Sequence, residues 1–346
     1  MPPFLGGTVY MRAFVVSTGS TSIDQLRAVQ LPDPGAPGPG QVSIRVQAAA
    51  LNYRDQAVVS GQYFGGVATR DMIPMSDGAG EVTAVGAGVS RVAVGDRVVA
   101  TFAQVDPAGP PSGTVAALGS PLDGMLAEQV VLYESGVLPI PKGFSFEQAA
   151  TLPCAAVTAW NALMVAGKPI RPGDTVLILG SGGVSMFALQ FARAAGARVL
   201  ATSSSDEKLE KVKQLGASDG INYRRTPDWD QEVLRLTGGR GVDAVVETGG
   251  TGTINRSFAS LAQGGKVALV GVLTNGETNP YILMRKHASL HGIFVGDRPM
   301  FEAMIAAIEV NRIQPLIDRT FPLQETPAAY RYQLSGAFIG KVVITL

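Results

Sequence analysis

Cysteine is almost absent from this chain. Cys154 is the single one in 346 residues, so neither an intrachain disulfide nor a multi-cysteine zinc site can be built, and the usage suits a reducing compartment. Histidine is nearly as scarce, and His287 and His291 do not make up a metal site between them. Excess charge is missing as well: 28 Lys+Arg balance 28 Asp+Glu, so no global basic field exists to collect nucleic acid or anionic lipid. The longest uncharged run, residues 148–167, is interrupted by Thr151, Pro153, Thr158 and Asn161 and reads as a buried helix rather than a membrane span. The first ten residues lack a basic region followed by a long apolar stretch, so they do not read as a signal peptide. The expectation is a cytoplasmic protein with no nucleic-acid or membrane partner.

What is present is a globular composition, 46% hydrophobic and 16% charged, in a chain long enough for two domains. From residue 10 to about 131, short apolar or alternating runs at 11–16, 42–48, 80–85, 97–102 and 126–132 are separated by turn residues, which predicts a β-rich unit. Two Gly/Pro-containing connections, around Pro32–Pro39 and over 106–123, interrupt it. After Gly173 the rhythm becomes strand, helix, strand: 175–179, 184–195, 198–202, 206–215, 220–222, 228–236, 242–247, 253–261 and 266–270. Runs at 289–295 and 341–346 read as further strands and 299–311 as a helix. The fold class is α/β, with a parallel, doubly wound sheet in the second half.

Gly180-Ser181-Gly182-Gly183-Val184-Ser185 follows the strand 175–179 and opens a helix, the context a dinucleotide fingerprint requires. Its glycines let backbone N–H groups approach a pyrophosphate at the positive end of the helix. Ser185 stands where the third glycine is usual, a position that governs helix–strand packing more than phosphate contact. About 20 residues on, an NAD-binding chain carries an acidic residue for the ribose diol, and here Ser203 occupies the place. Ser203, Ser204 and Lys208 suit a 2′-phosphate, with Tyr223, Arg224 and Arg225 beyond the third strand as further donors, so NADPH is favoured over NADH. Lys208 reads alternatively as a solvated helix-face lysine, and Asp206 as a helix N-cap. At the carboxyl ends of later strands, Glu247, Thr248, Gly249 and Gly250, and then Gly271, Val272 and Leu273, are placed to line a cofactor, as is Thr158 on the apolar helix.

The order of a β domain followed by a Gly-rich βαβ domain, with Gly95-Asp96-Arg97-Val98, Asp123-Gly124, Ala150-Thr151-Leu152-Pro153-Cys154 and the Gly180 motif, resembles the medium-chain dehydrogenase/reductase superfamily. Leu51-Asn52-Tyr53-Arg54-Asp55 and Ser60-Gly61-Gln62-Tyr63 resemble its zinc-free branch of quinone-oxidoreductase-like and alcohol-dehydrogenase-like members. The resemblance runs from about residue 11 to 346. It implies a GroES-like β-barrel catalytic domain over 1–137 completed by 306–346, a Rossmann NADP-binding domain over 138–305, a cleft where they meet, and a homodimer paired through strands like 289–295. The three positions that hold catalytic zinc in other members fall on Asn52, Ser76 and Cys154, and one thiolate beside an amide and a hydroxyl is not a zinc ligand set. Asp77 and Asp55 lie near these positions as carboxylates that support a neighbouring ligand or the structure, and no structural zinc lobe is expected, the 106–123 loop taking its place.

Without a Lewis acid, charge on the acceptor oxygen is stabilised by hydrogen bonds alone, which suits a quinone or an α,β-unsaturated carbonyl whose product anion is delocalised. Asn52 offers an amide donor, while Tyr63 and Tyr53 offer phenols, and the resemblance implies that the positions of Asn52 and Tyr63 lie close to the nicotinamide. His287 and His291 read as structural, and Cys154 as a small buried residue. The expected function is NADPH-dependent hydride transfer to a small-molecule quinone or enone without zinc. A zinc-free alcohol dehydrogenase or carbonyl reductase, and a catalytically inactive NADPH-binding protein, are the alternatives.

Overall fold

A computed structural model describes residues 9–104, 116–274 and 276–346 of the chain. It divides into two compact units: one runs to Cys154 and resumes over Ile317–Leu346, and the other is Ala155–Leu316. The junctions expected at 137/138 and 305/306 lie earlier in the chain than these. The short strand Val137–Pro139 pairs within the first unit, and the helix Arg298–Asn311 packs within the second.

The first unit begins with an antiparallel ribbon, β1 (Tyr10–Val16) and β2 (Leu26–Pro32). A seven-stranded sheet follows, made of β3 (Gln41–Ala50), β4 (Asp77–Val85), β5 (Arg97–Ala100), β6 (Gln129–Tyr133), β7 (Val137–Pro139), β14 (Ile317–Pro322) and β15 (Lys341–Thr345). Its order is β14-β15-β3-β4-β5-β7, with β6 also on β3. β15 pairs antiparallel with the end of β3, Val343 opposite Ala50, which brings Lys341 beside the start of helix α1 (Tyr53–Val59). Val42, Ile44, Val98, Leu126, Val342 and Ile344 fill the core. Helices α2 (Phe146–Ala150) and α10 (Thr326–Leu334) pack on this sheet. Of the 106–123 loop, residues 106–115 lie outside the described residues, and Ala116 onward returns through bridges from Ala117 to Ala103 and from Leu118 to Leu122.

The run read as one buried helix from 148 is helical in pieces. After α2 come a π-helical turn Leu152–Ala156, helix α3 (Val157–Trp160) and a second π-helical turn Asn161–Val165. Pro153 lacks a donor and its ring crowds the preceding turn, which is the usual cause of such widening. Among the described residues no helix is long and apolar enough to cross a membrane.

The second unit is a six-stranded parallel sheet in the order β10-β9-β8-β11-β12-β13, the doubly wound topology expected from the strand–helix rhythm. Its elements are β8 (Thr175–Leu179), α4 (Gly183–Ala194), β9 (Arg198–Ser203), α5 (Asp206–Gln214), β10 (Asp219–Asn222), α6 (Trp229–Leu236) and β11 (Val242–Glu247). Next come α7 (Ile254–Ser260), β12 (Leu261–Leu269), α8 (Tyr281–Arg285), β13 (Ser289–Gly292) and α9 (Arg298–Asn311). Leu177, Leu200, Trp229, Val245, Phe258 and Val267 form its core. The ammonium of Lys266 on β12 is buried and donates to the carbonyls of Leu163 and Ala166, closing the second π turn, and burial pulls its pKa down to about 8. α5 begins one residue earlier than the cap read from sequence: Ser205, not Asp206, accepts the N–H of Lys208. Asp206 instead bonds Asn222 Nδ2 and pairs with Arg225.

Gly80 marks where backbones come closest. It pairs with Val46 beside a bulge in β3, and a Cβ on it would stand 2.1 Å from the Arg45 carbonyl oxygen. Gly80→Ala is expected to destabilise the protein by about 2 kcal/mol or more, read as a fall in the urea midpoint of a probe in the β-rich unit.

Candidate functional site

The Gly180–Val184 loop of the second unit departs from the usual dinucleotide fingerprint at the next residue, Ser185, and repairs the departure itself. Gly180 leaves β8 in the left-handed region at φ 72°, which reverses the chain without side-chain strain, and Gly182 precedes the first turn of α4. A Cβ at either glycine would meet nothing within 4 Å, so open space faces the loop where a pyrophosphate would be held by the α4 N-terminus. Ser185, in place of the third glycine, turns its hydroxyl back to the Leu179 carbonyl at 2.6 Å, and Thr248 Oγ1 donates to the same oxygen at 2.9 Å. Two side chains thus hold the last residue of β8 just before the chain turns. Ser181 is buried, and Gly183 and Val184 open the helix.

At the end of β9, Ser203 is buried and its Oγ accepts the Ser205 N–H at 3.3 Å, while Ser204 and Lys208 are half-buried beside it. Tyr223 is exposed, with its N–H on the Ser203 carbonyl at 3.1 Å, and the Arg224 N–H is held by Asn222. The carboxylate nearest this strand end, Asp206, is turned to Asn222 and Arg225. Among the described residues, hydroxyls and cations surround this place, and the nearby Asp206 and Glu207 carboxylates are engaged by Asn222, Arg225 and Lys211.

Glu247 organises the opposite side of the cofactor loop. It is 0% exposed, yet Oε1 accepts from Gly249 N at 2.7 Å, Gly250 N at 3.1 Å and Thr253 Oγ1 at 2.6 Å, and Oε2 from Ser257 Oγ at 2.5 Å. Four donors offset the cost of burying that carboxylate. The loop it shapes is stitched to the end of β12: Gly250 bridges to Thr274, Thr251 Oγ1 donates to the Thr274 carbonyl, and Gly271 approaches the Thr248 carbonyl so closely that only glycine fits. Val272 and Leu273 are left exposed, and Thr158 is buried on α3. His291 bonds Ser289 and packs on Gly167, and His287 ends α8 in a left-handed turn, both in structural positions.

In the β-rich unit, Asn52 caps the start of α1, where Asp55 accepts its N–H at 2.7 Å. The Asn52 side chain is 8% exposed, its Oδ1 taken by the Lys341 ammonium at 2.5 Å and its Nδ2 buried without a partner among the described residues. Lys341 also donates to the Leu51 carbonyl and lies 3.9 Å from Asp77, which in turn accepts Ser76 Oγ at 2.7 Å and the Cys154 N–H at 3.1 Å. The three positions that match zinc ligands in the superfamily are therefore joined to one ammonium–carboxylate pair. One thiol, one hydroxyl and an amide whose oxygen is already taken by the Lys341 ammonium stand at the three positions; burial, with Asp77 adding to it, pushes the Cys154 thiol up to about 12. These donors do not fit the metal. Among the described residues no three His, Cys, Asp or Glu cluster for one.

Arg54, buried on α1, stacks between the rings of Tyr63 and Phe102 and donates to the carbonyls of Leu118 and Ser120, tying the 116–123 loop to α1. Its Nε reaches Tyr63 Oη at 3.4 Å, which leaves the phenol proton free to point elsewhere. Tyr53 is 59% exposed and apart from this cluster's bonds. Sequence reading missed Lys341, Arg54 and the four-donor cradle of Glu247. A cation inside an apolar helix or heading an apolar strand was the only signal for the first two.

Two family descriptions match the chain: "Alcohol dehydrogenase GroES-like domain" over residues 38–142 and "Zinc-binding dehydrogenase" over 183–309. A zinc-type alcohol dehydrogenase-like protein of Schizosaccharomyces pombe is 42% identical over 342 residues, 96% of this chain and 99% of that one. Human quinone oxidoreductase is 28% identical over 353 residues, 98% of this chain and 99% of that protein. A solved NAD-dependent alcohol dehydrogenase superposes with a TM-score of 0.88 at 34% identity, covering 97% and 100% of the two chains.

Glu247→Gln sets an amide N–H₂ against donors; it is expected to lower stability by about 2 kcal/mol and to weaken dinucleotide binding about 10-fold, measured by urea melts and cofactor fluorescence titration. Burial, opposed by Arg54, raises the Asp55 carboxyl to about 6. A raised carboxyl binds more protons folded than unfolded, so its contribution to stability falls as pH rises from about 4 to about 6, by about 3 kcal/mol in all. Asp55→Asn, which keeps an oxygen for the Asn52 N–H, is expected to gain on the wild type across that window when both are unfolded in urea at pH 4 and pH 7.

Proposed function

Because the chain belongs to the medium-chain dehydrogenase/reductase superfamily and is an NAD(P)H-dependent oxidoreductase, we propose that it reduces quinones or α,β-unsaturated carbonyls with NADPH and without zinc. The observation that carries this reading is the Asn52 amide: its oxygen is committed to Lys341 and its buried N–H₂ has no acceptor among the described residues. A bound nicotinamide supplies the hydride. The residues of the chain do the rest: the Gly180–Val184 loop and the α4 N-terminus hold the pyrophosphate, and Ser204 and Lys208 receive the 2′-phosphate with Tyr223 and Arg224 nearby.

Reduction of a conjugated acceptor places negative charge on its oxygen. Asn52 Nδ2 donates a hydrogen bond to that oxygen, and Tyr63, positioned by Arg54, supplies a second donor. One or two neutral donors suffice for a delocalised enolate or hydroquinone anion but stabilise a simple alkoxide poorly. This difference favours a quinone or enone over a plain aldehyde.

Purified protein assayed for bound metal is expected to oxidise NADPH at 340 nm with a quinone or enone, faster than with an aldehyde and with NADPH about 10-fold or more ahead of NADH in kcat/KM. Stoichiometric zinc with turnover of the aldehyde alone, or equal use of NADH, overturns the reading.

A further inference from the structure

The buried ammonium of Lys341 joins stretches far apart in sequence. It is 3% exposed, donates to the Leu51 carbonyl at 2.7 Å and to Asn52 Oδ1 at 2.5 Å, and lies 3.9 Å from the fully buried Asp77 carboxylate. A buried ion pair adds little net stability over apolar side chains of the same volume, so stability alone does not account for a cation here. What a cation does, and a neutral side chain does not, is settle an amide. The oxygen and nitrogen of an asparagine side chain exchange by a half-turn of the amide plane. An ammonium has three donors and no acceptor, so only the oxygen can face it.

That choice directs Asn52 Nδ2 the other way, where it is buried and has no acceptor among the described residues. An unsatisfied buried donor is costly, by about 1–3 kcal/mol. An unsatisfied donor held in a fixed direction fits a ligand oxygen that accepts its hydrogen bond. The ammonium also draws electron density from the amide oxygen, and hydrogen bonds in a chain polarise one another in a low-dielectric interior.

We propose that Lys341 is the positioning residue of the reaction: it locks the Asn52 amide with Nδ2 toward the acceptor oxygen of the substrate and strengthens that donor through the amide. The proposal rests on the reading of Asn52 as the donor to a reducible carbonyl or quinone.

A double-mutant cycle tests it with whichever quinone or enone the wild type reduces. Asn52→Ala is expected to lower kcat about 100-fold and Lys341→Met about 10-fold or more, with the KM for NADPH changed less than about 2-fold. The combined variant is expected to be no slower than Asn52→Ala alone. Losses that multiply in the combined variant overturn the proposal, because a merely structural lysine acts independently of the amide. Lys341→Met leaves Asp77 buried without its cation. If it does not fold, Lys341→Met with Asp77→Asn removes both charges and takes its place in the cycle. A readout without turnover separates this proposal from the functional one: the side-chain amide resonance of Asn52, assigned by its loss in Asn52→Ala. It is expected to be single and protected from exchange in the wild type, and displaced or doubled once the ammonium is gone. An unmoved resonance overturns the role of Lys341. A wild type that reduces no quinone, enone or other carbonyl overturns the functional reading, and the resonance then decides the positioning of the amide by itself.

Discussion

The β-rich unit depends on one buried cation. Lys341 heads β15, and through its ammonium the end of β3, the start of α1 and the Asp77 strand are fixed to one another. Asp77 passes the connection on to Ser76 and to the Cys154 backbone. Once that pair is in place, the direction of the Asn52 amide follows. Asn52, Ser76 and the Cys154 backbone are thereby gathered around one ammonium and one carboxylate.

The second unit solves the same problem of buried charge with neutral donors. Glu247 meets two backbone N–H groups and two hydroxyls, and the loop it gathers is the one that faces the cofactor motif across the ends of β8 and β11. Ser185 and Thr248 share the Leu179 carbonyl, so the phosphate loop and the Glu247 loop are anchored to one atom. A hydroxyl in place of the third glycine therefore preserves helix–strand packing by bonding the strand end, where a glycine would do so by vacancy.

Much of this was legible in the sequence because it is local. The strands β8 and β11 were read to the residue, since continuous apolar runs between turn signals mark buried parallel strands. The Gly180 motif and its setting were legible for the same reason. β2 was not read, because its residues are mostly exposed in a two-stranded ribbon and carry no apolar periodicity. The π turns Leu152–Ala156 and Asn161–Val165 escaped because a widened helix keeps the composition of an ordinary one. Lys341 and Asn52 are 289 positions apart, and no local pattern couples residues at that distance. Arg54 stands in the Leu51–Asp55 motif with nothing local to mark its role, and only the fold shows it against two rings.

The order of the units along the chain has a further effect on biosynthesis. The strand that carries Lys341 is translated after all of Ala155–Leu316, although it belongs to the sheet that begins before them. On the ribosome, the residues of the six-stranded sheet are therefore available to fold while the seven-stranded sheet still lacks two strands and Asn52 still lacks its cation. A nascent chain can become competent to hold a dinucleotide before it is competent to use one. The last piece that orients the amide arrives with β15.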